Sequence, residues 1–374
     1  MRFRCLCALT GAVVSSLLFT SSAVAGGILK MNHVWSRMAD IYGEPGSVES
    51  AEFSPDSNFI VTGSKFDFTV RMFRTSDGFE VWRAHVPDEV ERVAFTRDGK
   101  YVVSGSEDYM MRVLDAATGE VVFDYEHQNG IDAIAASHDG RFMVTGQEFG
   151  ENGIGPVRVF DPSSWELVTT LDQIGTANEL DFTRDDSYMV VVGSQTTRVF
   201  NVSDWSLHFE DSLKGKLLLD DIQPGFINAK FSPDGKILAV GGTHGFVYLY
   251  DVESGDLLRR FNKTGQKTET VTWTKDGRYL LVAGHSTYID FYRTEQLLDP
   301  ETGNDSIPYA YRRELTDNLE YMDFDASGTL FTTAHQDGTV QLWTFMSDDP
   351  NINSRRHDEI REVQRRAAEE RARQ

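Results

Sequence analysis

A short pattern recurs seven times along the chain: an apolar pair, a polar β-turn, an apolar run, Gly or Ala, and a second apolar run. The seven turns begin at Phe53, Phe95, Ala136, Phe182, Phe231, Trp273 and Phe324. These residues lie 42, 41, 46, 49, 42 and 51 positions apart, which is the period of four-stranded propeller blades. The repeat therefore predicts an all-β fold, a seven-bladed β-propeller with four-stranded antiparallel blades.

Each repeat divides into four strands by alternation of apolar and polar residues and by turn chemistry. The second repeat predicts strands over Val90–Phe95, Tyr101–Gly105, Met111–Asp115 and Glu120–Tyr125. No change in composition separates one repeat from the next. We therefore expect a single propeller domain over residues 26–347.

The seventh repeat contains only three strands before it turns polar, whereas a spare strand precedes the first repeat. The segment His33–Met38 resembles Glu80–His85, the outer strand of the first blade. We expect residues Asn32–Tyr42 to pair with the seventh blade and close the ring. Closure removes the unpaired strand edges that promote aggregation.

The first 25 residues have the pattern of a signal peptide. Arg2 and Arg4 precede an apolar stretch from Leu6 to about Phe19, and Ala23-Val24-Ala25 forms a small-x-small cleavage site. A membrane anchor is the alternative, but the stretch is too short to span a bilayer. We expect cleavage after Ala25 and a periplasmic or secreted protein with no membrane span. Both cysteines, Cys5 and Cys7, leave with this segment.

The chain is acidic, with 36 basic and 58 acidic residues and a net charge of −22. Such a surface repels phosphate backbones, so we expect no nucleic-acid partner. The charge has two interpretations that the sequence leaves open. It serves solubility alone, or clustered acids bind a cationic ligand.

Residues 348–374 form a charged tail, with a helix predicted over Ser354–Gln374. Glu362 and Arg366, like Glu369 and Arg373, have the i,i+4 spacing of helical ion pairs. Few of its residues are apolar, so it has no broad face to bury. The tail is either solvated and frayed or docks to the propeller or another subunit.

The repeats resemble the WD-repeat propeller family over roughly residues 32–346, with a degenerate signature. The Trp-Asp pair of that family is replaced by Leu114-Asp115, Phe160-Asp161 and Tyr250-Asp251, and Trp343 is followed by Thr344. The resemblance implies a rigid platform for a protein or peptide partner, and together with the signal-peptide pattern we expect a bacterial exported member of the family. It also implies structural His–Ser/Thr–Asp networks, which match His85, Ser104 and Asp108 in the second repeat, and His127 with Thr145 in the third.

The residue four positions before each turn opens the innermost strand of its blade. Five of these seven residues are acidic, where composition predicts about one: Glu49, Glu91, Asp132, Glu269 and Glu320, beside Asn178 and Ile227. Like charges around one channel entrance raise each other's pKa and attract cations. We interpret this rim as the binding face. The alternative is that solvent-exposed strand starts simply carry the prevailing charge.

Three loops on the same rim carry His244, His285 and His335 in consecutive blades. Converging imidazoles could bind a metal or act as acid and base, whereas isolated ones are ordinary rim residues. No hydrolase elbow, zinc-protease motif, phosphate loop or dinucleotide fingerprint occurs. We therefore assign no catalytic residues, no metal and no cofactor, and favour a non-enzymatic interaction scaffold. The alternative is a propeller lyase or hydrolase acting on an extracellular saccharide or lactone.

Overall fold

The computed structural model describes residues 29–40, 46–212, 225–263, 266–303 and 307–346. These residues form seven antiparallel sheets of four strands each. The predicted seven-bladed propeller is therefore confirmed. The predicted signal peptide, the predicted C-terminal helix and residues 213–224 lie outside the described residues.

Blades 1 to 3 follow each other along the chain, and their strands a to d run from the channel outward. The strands of blade 1 are β2 (Val48–Phe53), β3 (Phe59–Ser64), β4 (Thr69–Arg74) and β5 (Glu80–His85). Those of blade 2 are β6 (Val90–Phe95), β7 (Tyr101–Ser106), β8 (Met110–Asp115) and β9 (Val121–Glu126). Those of blade 3 are β10 (Ile131–Ala136), β11 (Met143–Gln147), β12 (Ile154–Asp161) and β13 (Glu166–Ile174).

Blades 4 to 6 repeat this arrangement. Blade 4 contains β14 (Ala177–Phe182), β15 (Tyr188–Gly193), β16 (Thr196–Asn201) and β17 (Leu207–Ser212). Blade 5 contains β18 (Phe226–Phe231), β19 (Ile237–Gly242), β20 (Phe246–Asp251) and β21 (Leu257–Asn262). Blade 6 contains β22 (Thr270–Trp273), β23 (Tyr279–Gly284), β24 (Ser286–Arg293) and β25 (Tyr311–Glu314), with helix α1 (Thr294–Leu298) between its last two strands.

Blade 7 combines the two ends of the propeller sequence. Its strands a to c are β26 (Leu319–Phe324), β27 (Leu330–His335) and β28 (Thr339–Met346), and its outer strand is β1 (Lys30–Met38). Strand β1 pairs antiparallel with β28 from Lys30–Met346 to Met38–Thr339. The predicted closure by an N-terminal strand is thus confirmed.

The apolar core lies between blades. Seven clusters of buried apolar residues each join two neighbouring sheets, and the cluster between blades 7 and 1 contains Trp35, Val48 and Phe73. The Trp35 indole also donates to the carbonyl of Thr75 at 2.9 Å. Trp82 repeats this contact one blade later, because its indole donates to the carbonyl of Ala116 at 2.9 Å. The ring therefore closes with the same contact that joins blade 1 to blade 2.

Six innermost strands share a β-bulge near their start. The pairing of strand a with strand b shifts between Val48 and Ser50 in blade 1 and between Val90 and Arg92 in blade 2, with equivalent shifts in blades 3, 4, 5 and 7. A bulge adds a residue to one strand and redirects its side chain. The residue four positions before each turn is this added residue. The bulges therefore direct the side chains of these added residues toward the channel entrance. The side chain of the residue after each bulge then lies on the channel wall.

Among the described residues, the helices are too short and too polar to cross a bilayer.

Candidate functional site

The acidic residues at the starts of the innermost strands define one entrance of the channel, which we call the acidic mouth. It comprises Glu49, Glu91, Asp132, Glu269 and Glu320 at the starts of the innermost strands, with Glu107 and Glu148 from neighbouring loops. Of the other two ring positions, Asn178 donates to the carbonyl of Phe226 at 2.7 Å. Ile227 adds an apolar side chain to the ring. The acids are therefore concentrated on blades 1, 2, 3, 6 and 7.

One side of the acidic mouth is a cavity of about 550 Å³. Its lining is charged throughout and consists of Lys65, Asp88, Glu89, Glu91, Glu107, Asp132 and Glu148. Lys65 Nζ lies 2.7 Å from Glu89 Oε2 and 3.4 Å from Glu91 Oε1. A single ammonium group thus faces six carboxylates, so the cavity carries a strong excess of negative charge.

Burial and mutual repulsion shift the pKa values of these acids. Burial, then Glu49, raises the pKa of Glu91 to about 7, and burial, then Glu91, raises the pKa of Asp132 to about 8. Burial, then Glu148, raises the pKa of Glu107 to about 7. Burial and Glu320 also raise the pKa of Glu49. A cation that entered here would relieve this repulsion, as expected of an electrostatically strained site.

The other side of the acidic mouth carries a cluster of two carboxylates and an imidazole. His285 Nε2 lies 2.9 Å from Glu269 Oε1 and 3.8 Å from Glu320 Oε1. Contacts with Glu269, then with Glu320, raise the pKa of His285 to about 9. We call Glu269, His285 and Glu320 the carboxylate–imidazole cluster.

The loop between β23 and β24 fixes the position of His285. Gly284 and Ser286 pair across a tight connection, with His285 at its tip. A Cβ atom on Gly284 would lie 2.2 Å from the carbonyl oxygen of Lys267 and 2.6 Å from the backbone nitrogen of Glu269. Only glycine permits this close approach. The approach brings the imidazole against Glu269.

The three rim histidines do not form one site. His335 is fully buried, and its Nε2 lies 2.8 Å from Thr333 Oγ1. His244 Nδ1 lies 2.8 Å from Thr243 Oγ1. Of the three imidazoles, His285 is the one grouped with other metal-ligating side chains in the part of the chain that the structure describes. The acid–base or metal set of three histidines therefore has no geometric support.

The network implied for the second blade is wrong. His85 is exposed, Ser104 Oγ is buried without a hydrogen-bond partner, and Asp108 pairs with Arg112. The guanidinium of Arg112, on strand β8, donates to both carboxylate oxygens of Asp108, because its planar N–H groups match the geometry of a carboxylate. In the third blade the implied pair is confirmed, since His127 Nε2 lies 2.9 Å from Thr145 Oγ1.

Directly beneath the acidic mouth, a polar network blocks the channel. Arg92 of blade 2 pairs with Glu179 of blade 4 at 3.1 Å, and Lys230 of blade 5 reaches the same carboxylate at 3.1 Å. The Arg92 guanidinium lies 4.6 Å from the ring centre of Tyr321 in blade 7. We call these four residues the channel plug. The channel plug thus connects blades 2, 4, 5 and 7 across the channel.

The channel plug was not predicted from the sequence. Its residues stand three positions before the turns, or one position before in the case of Lys230, whereas the acidic pattern stands out at the fourth position. Opposite charges at Arg92 and Glu179 on innermost strands were the available signal. Glu107 and Glu148 were not predicted as members of the acidic mouth because they belong to the loops.

Beyond the channel plug, carboxylates near the opposite entrance connect neighbouring blades. Asp181 of blade 4 accepts from the backbone nitrogen of Phe231 in blade 5 at 2.8 Å. In the same way, Asp323 of blade 7 accepts from the backbone nitrogen of Phe53 in blade 1 at 3.5 Å. Each of these two acids thus accepts a backbone hydrogen bond from the next blade.

Comparison with known protein families agrees with this geometry. The model of the WD domain, G-beta repeat, matches residues 35–74, 79–115 and 315–344. A second model, the WD40 domain of anaphase-promoting complex subunit 4, matches residues 226–276. These matches support a WD-repeat β-propeller. The first match begins in β1 and ends in β4, so it crosses the junction at which blade 7 closes.

Several characterised WD-repeat-type relatives share low identity with the chain. A 77 kDa echinoderm microtubule-associated protein of Lytechinus variegatus is 27% identical over 143 residues, which cover 38% of this chain and 20% of that protein. The serine-threonine kinase receptor-associated protein of Gallus gallus is 22% identical over 264 residues, 69% of this chain and 71% of that protein. WD repeat-containing protein 1 of Xenopus tropicalis is 27% identical over 271 residues, 66% and 42% of the two chains. The chain thus spans about a fifth of the first relative's length.

Proposed function

We propose that this WD-repeat propeller is a bacterial exported, non-enzymatic interaction scaffold whose acidic mouth binds the cationic groups of a protein or peptide partner. The observation that carries the proposal is the grouping of partly buried carboxylates around one entrance, where in the cavity beside Glu91 six of them face a single lysine. The WD-repeat matches support a role in protein interaction. The basic and apolar start of the chain supports export.

The shape of the acidic mouth favours extended basic side chains. Lysine and arginine carry their charge at the end of a flexible stem, so they can reach carboxylates set below a rim. The cavity of about 550 Å³ beside Glu91 and Asp132 has room for such a side chain. Binding there lowers the repulsion among the acids, and attraction over the whole face accelerates the encounter.

Fluorescence anisotropy with a labelled lysine- and arginine-rich decapeptide tests this proposal. The double variant Glu91→Gln, Asp132→Asn should weaken binding about tenfold at low salt, because two carboxylates facing the ligand are lost. Binding to the native protein should also weaken as salt rises from about 50 to about 300 mM, since salt screens the charges.

The matched control is Asp124→Asn, Glu126→Gln, which removes the same charge from the exposed outer strand β9. This variant should bind the peptide nearly as well as the native protein. Equal loss of affinity in both variants would mean that total charge, and not the acidic mouth, attracts the peptide. Equal binding of a peptide with glutamine in place of its basic residues would also contradict the proposal.

A further inference from the structure

The carboxylate–imidazole cluster brings three metal-ligating side chains to one point. The ligand atoms of Glu269, His285 and Glu320 all lie within 4.8 Å of one another. We propose that these three residues bind a divalent transition-metal ion, with Zn²⁺ as the best match. This site requires no protein partner and extends beyond the proposed scaffold function.

The observed separations fit the coordination of such an ion. Zn²⁺ binds nitrogen and carboxylate oxygen at about 2.0–2.2 Å in tetrahedral geometry, which places neighbouring ligand atoms about 3.3 Å apart. Here His285 Nε2 lies 2.9 Å from Glu269 Oε1 and 3.8 Å from Glu320 Oε1. Small side-chain rotations therefore suffice to equalise the distances around a metal ion.

Glu269 supplies an independent indication of a ligand. Its side chain is only 5% exposed, and its Oε1 atom accepts no hydrogen bond of proper geometry. Lys267 Nζ and His285 Nε2 lie 2.6 and 2.9 Å from this atom, so they are attracted to it without being correctly directed. A buried carboxylate oxygen without a well-directed hydrogen bond lowers the stability of the folded protein. A metal ion between the three residues would satisfy it.

The amide nitrogen of Gln336, which is a hydrogen-bond donor, faces His285 Nε2. In a protonated ring this imidazole nitrogen is also a donor, so the two groups do not match. Asn318 donates to Gln336 Oε1 at 2.9 Å, which turns the Gln336 amide nitrogen toward His285 Nε2 at 3.0 Å. The same nitrogen thus faces a hydrogen-bond donor and the acceptor Glu269, and no single protonation state suits both. With a metal on Nε2, Gln336 would keep its hydrogen bond to Glu320 and orient that ligand.

The ligand set selects the class of metal. Imidazole suits Zn²⁺ and other first-row transition metals, whereas Ca²⁺ and Mg²⁺ prefer oxygen ligands throughout. The His285 side chain is 38% exposed, so the site is accessible from the acidic mouth and leaves a position for water. The all-carboxylate group Glu107, Asp132 and Glu148 lacks an imidazole and serves as the internal comparison.

Isothermal titration calorimetry on the tag-free, chelator-treated protein tests the proposal with Zn²⁺ and Ca²⁺ as probes. We expect one Zn²⁺ per chain and much weaker Ca²⁺ binding. Glu269→Gln and His285→Asn should each weaken Zn²⁺ binding at least about tenfold. The matched variant Glu107→Gln, Glu148→Gln should retain it. Loss of Zn²⁺ binding in the matched variant alone, or no Zn²⁺ binding by the native protein, would overturn the proposal.

Anomalous diffraction at the zinc edge from crystals of the native protein gives a second measurement that does not depend on variants folding. The expected peak lies among Glu269, His285 and Glu320. A peak among Glu107, Asp132 and Glu148 instead, or no peak at the carboxylate–imidazole cluster, would refute the assignment. Neither measurement involves the basic peptide, so this proposal and the scaffold function fail separately.

Discussion

At the scale of single residues, the acidic mouth keeps carboxylates where burial and like charge oppose their ionisation. The pKa of Asp132 is raised to about 8 and that of Glu91 to about 7. In the unfolded chain these groups ionise near pH 4. Between these limits the folded protein binds more protons than the unfolded chain, so stability decreases as pH rises.

This linkage predicts how the double variant Glu91→Gln, Asp132→Asn melts. At pH 8 it should melt about 2 °C or more above the native protein, because the unfavourable ionisation is removed. Toward pH 4 the two curves should converge, since the unfolded chain there takes up protons on the same two carboxyls and the difference in proton binding between the two states decreases. Calorimetric melting temperatures from pH 4 to pH 9 provide the measurement.

The outer-strand variant Asp124→Asn, Glu126→Gln is the control for this pH series, and its curve should run parallel to that of the native protein. A lower melting temperature for the Glu91→Gln, Asp132→Asn variant at pH 8 would contradict the account. It would also mean that these carboxylates stabilise the ring and that reduced peptide binding has a structural cause.

Residue-level inference from sequence succeeded where position alone decides orientation. The bulges place Glu49, Glu91 and Asp132 at one entrance, as the repeat alignment predicted. It failed for His85 and Asp108, because a carboxylate pairs with the basic side chain that lies nearest to it in the folded structure. Arg112 lies on the adjacent strand and pairs with Asp108, a competition that the motif does not reveal.

At the scale of elements, β1 joins the beginning of the propeller sequence to its end. Trp35 is 2% exposed, packs with Phe73 of blade 1 and donates to the carbonyl of Thr75. Burial of so large a side chain at a blade junction contributes several kcal/mol. Closure therefore depends on packing as well as on the β1–β28 ladder.

Substitution of Trp35 by Ala should destabilise the protein by about 3–5 kcal/mol, because it leaves a cavity and an unpaired carbonyl at the closure. Met38→Ala, at the 49% exposed end of the same strand, should cost less than about 0.5 kcal/mol. Urea denaturation measures both. Equal stability of the Trp35→Ala variant and the native protein would contradict closure through this strand.

Most strands were predictable because alternation and turn chemistry are local properties. The four strands of blade 2 lie within one residue of their expected positions, and the seventh repeat supplies three strands as expected. The outer strand of blade 7 was predictable because His33–Met38 repeats the pattern of β5. Helix α1 was not predicted, since five residues inside an irregular insertion carry little periodic signal.

At the scale of the whole molecule, the channel plug joins blades that are not neighbours. Glu179 meets both Arg92 and Lys230, and Asn228 donates to it at 2.7 Å. Burial opposes the charge of Lys230, but Asp181 and Glu179 outweigh this effect and hold its pKa well above the usual value. No local sequence pattern encodes such contacts, because they depend on the diameter of the completed ring.

Removal of both partners should therefore cost less than the sum of the two single removals. Arg92→Met should destabilise the protein by about 3 kcal/mol, since Glu179 loses a buried counter-charge. The double variant Arg92→Met, Glu179→Met should recover at least about 1 kcal/mol relative to the sum of its single variants. Denaturant titrations of the four proteins form the double-mutant cycle.

The exposed pair Lys100 and Asp98, separated by 2.8 Å, is the control for this cycle. Its coupling energy should stay below about 1 kcal/mol because solvent screens it. Strict additivity of Arg92→Met and Glu179→Met would mean that the two side chains do not interact across the channel.

Hydrogen–deuterium exchange of the native protein with and without the basic decapeptide shows whether the acidic mouth recognises basic groups. Recognition there should slow exchange in segments around Glu91, Asp132 and Glu148 when the peptide is bound, with little change in the outer strands. Protection confined to the outer strands, where Val122 and Leu258 are exposed, or to the opposite entrance would contradict it.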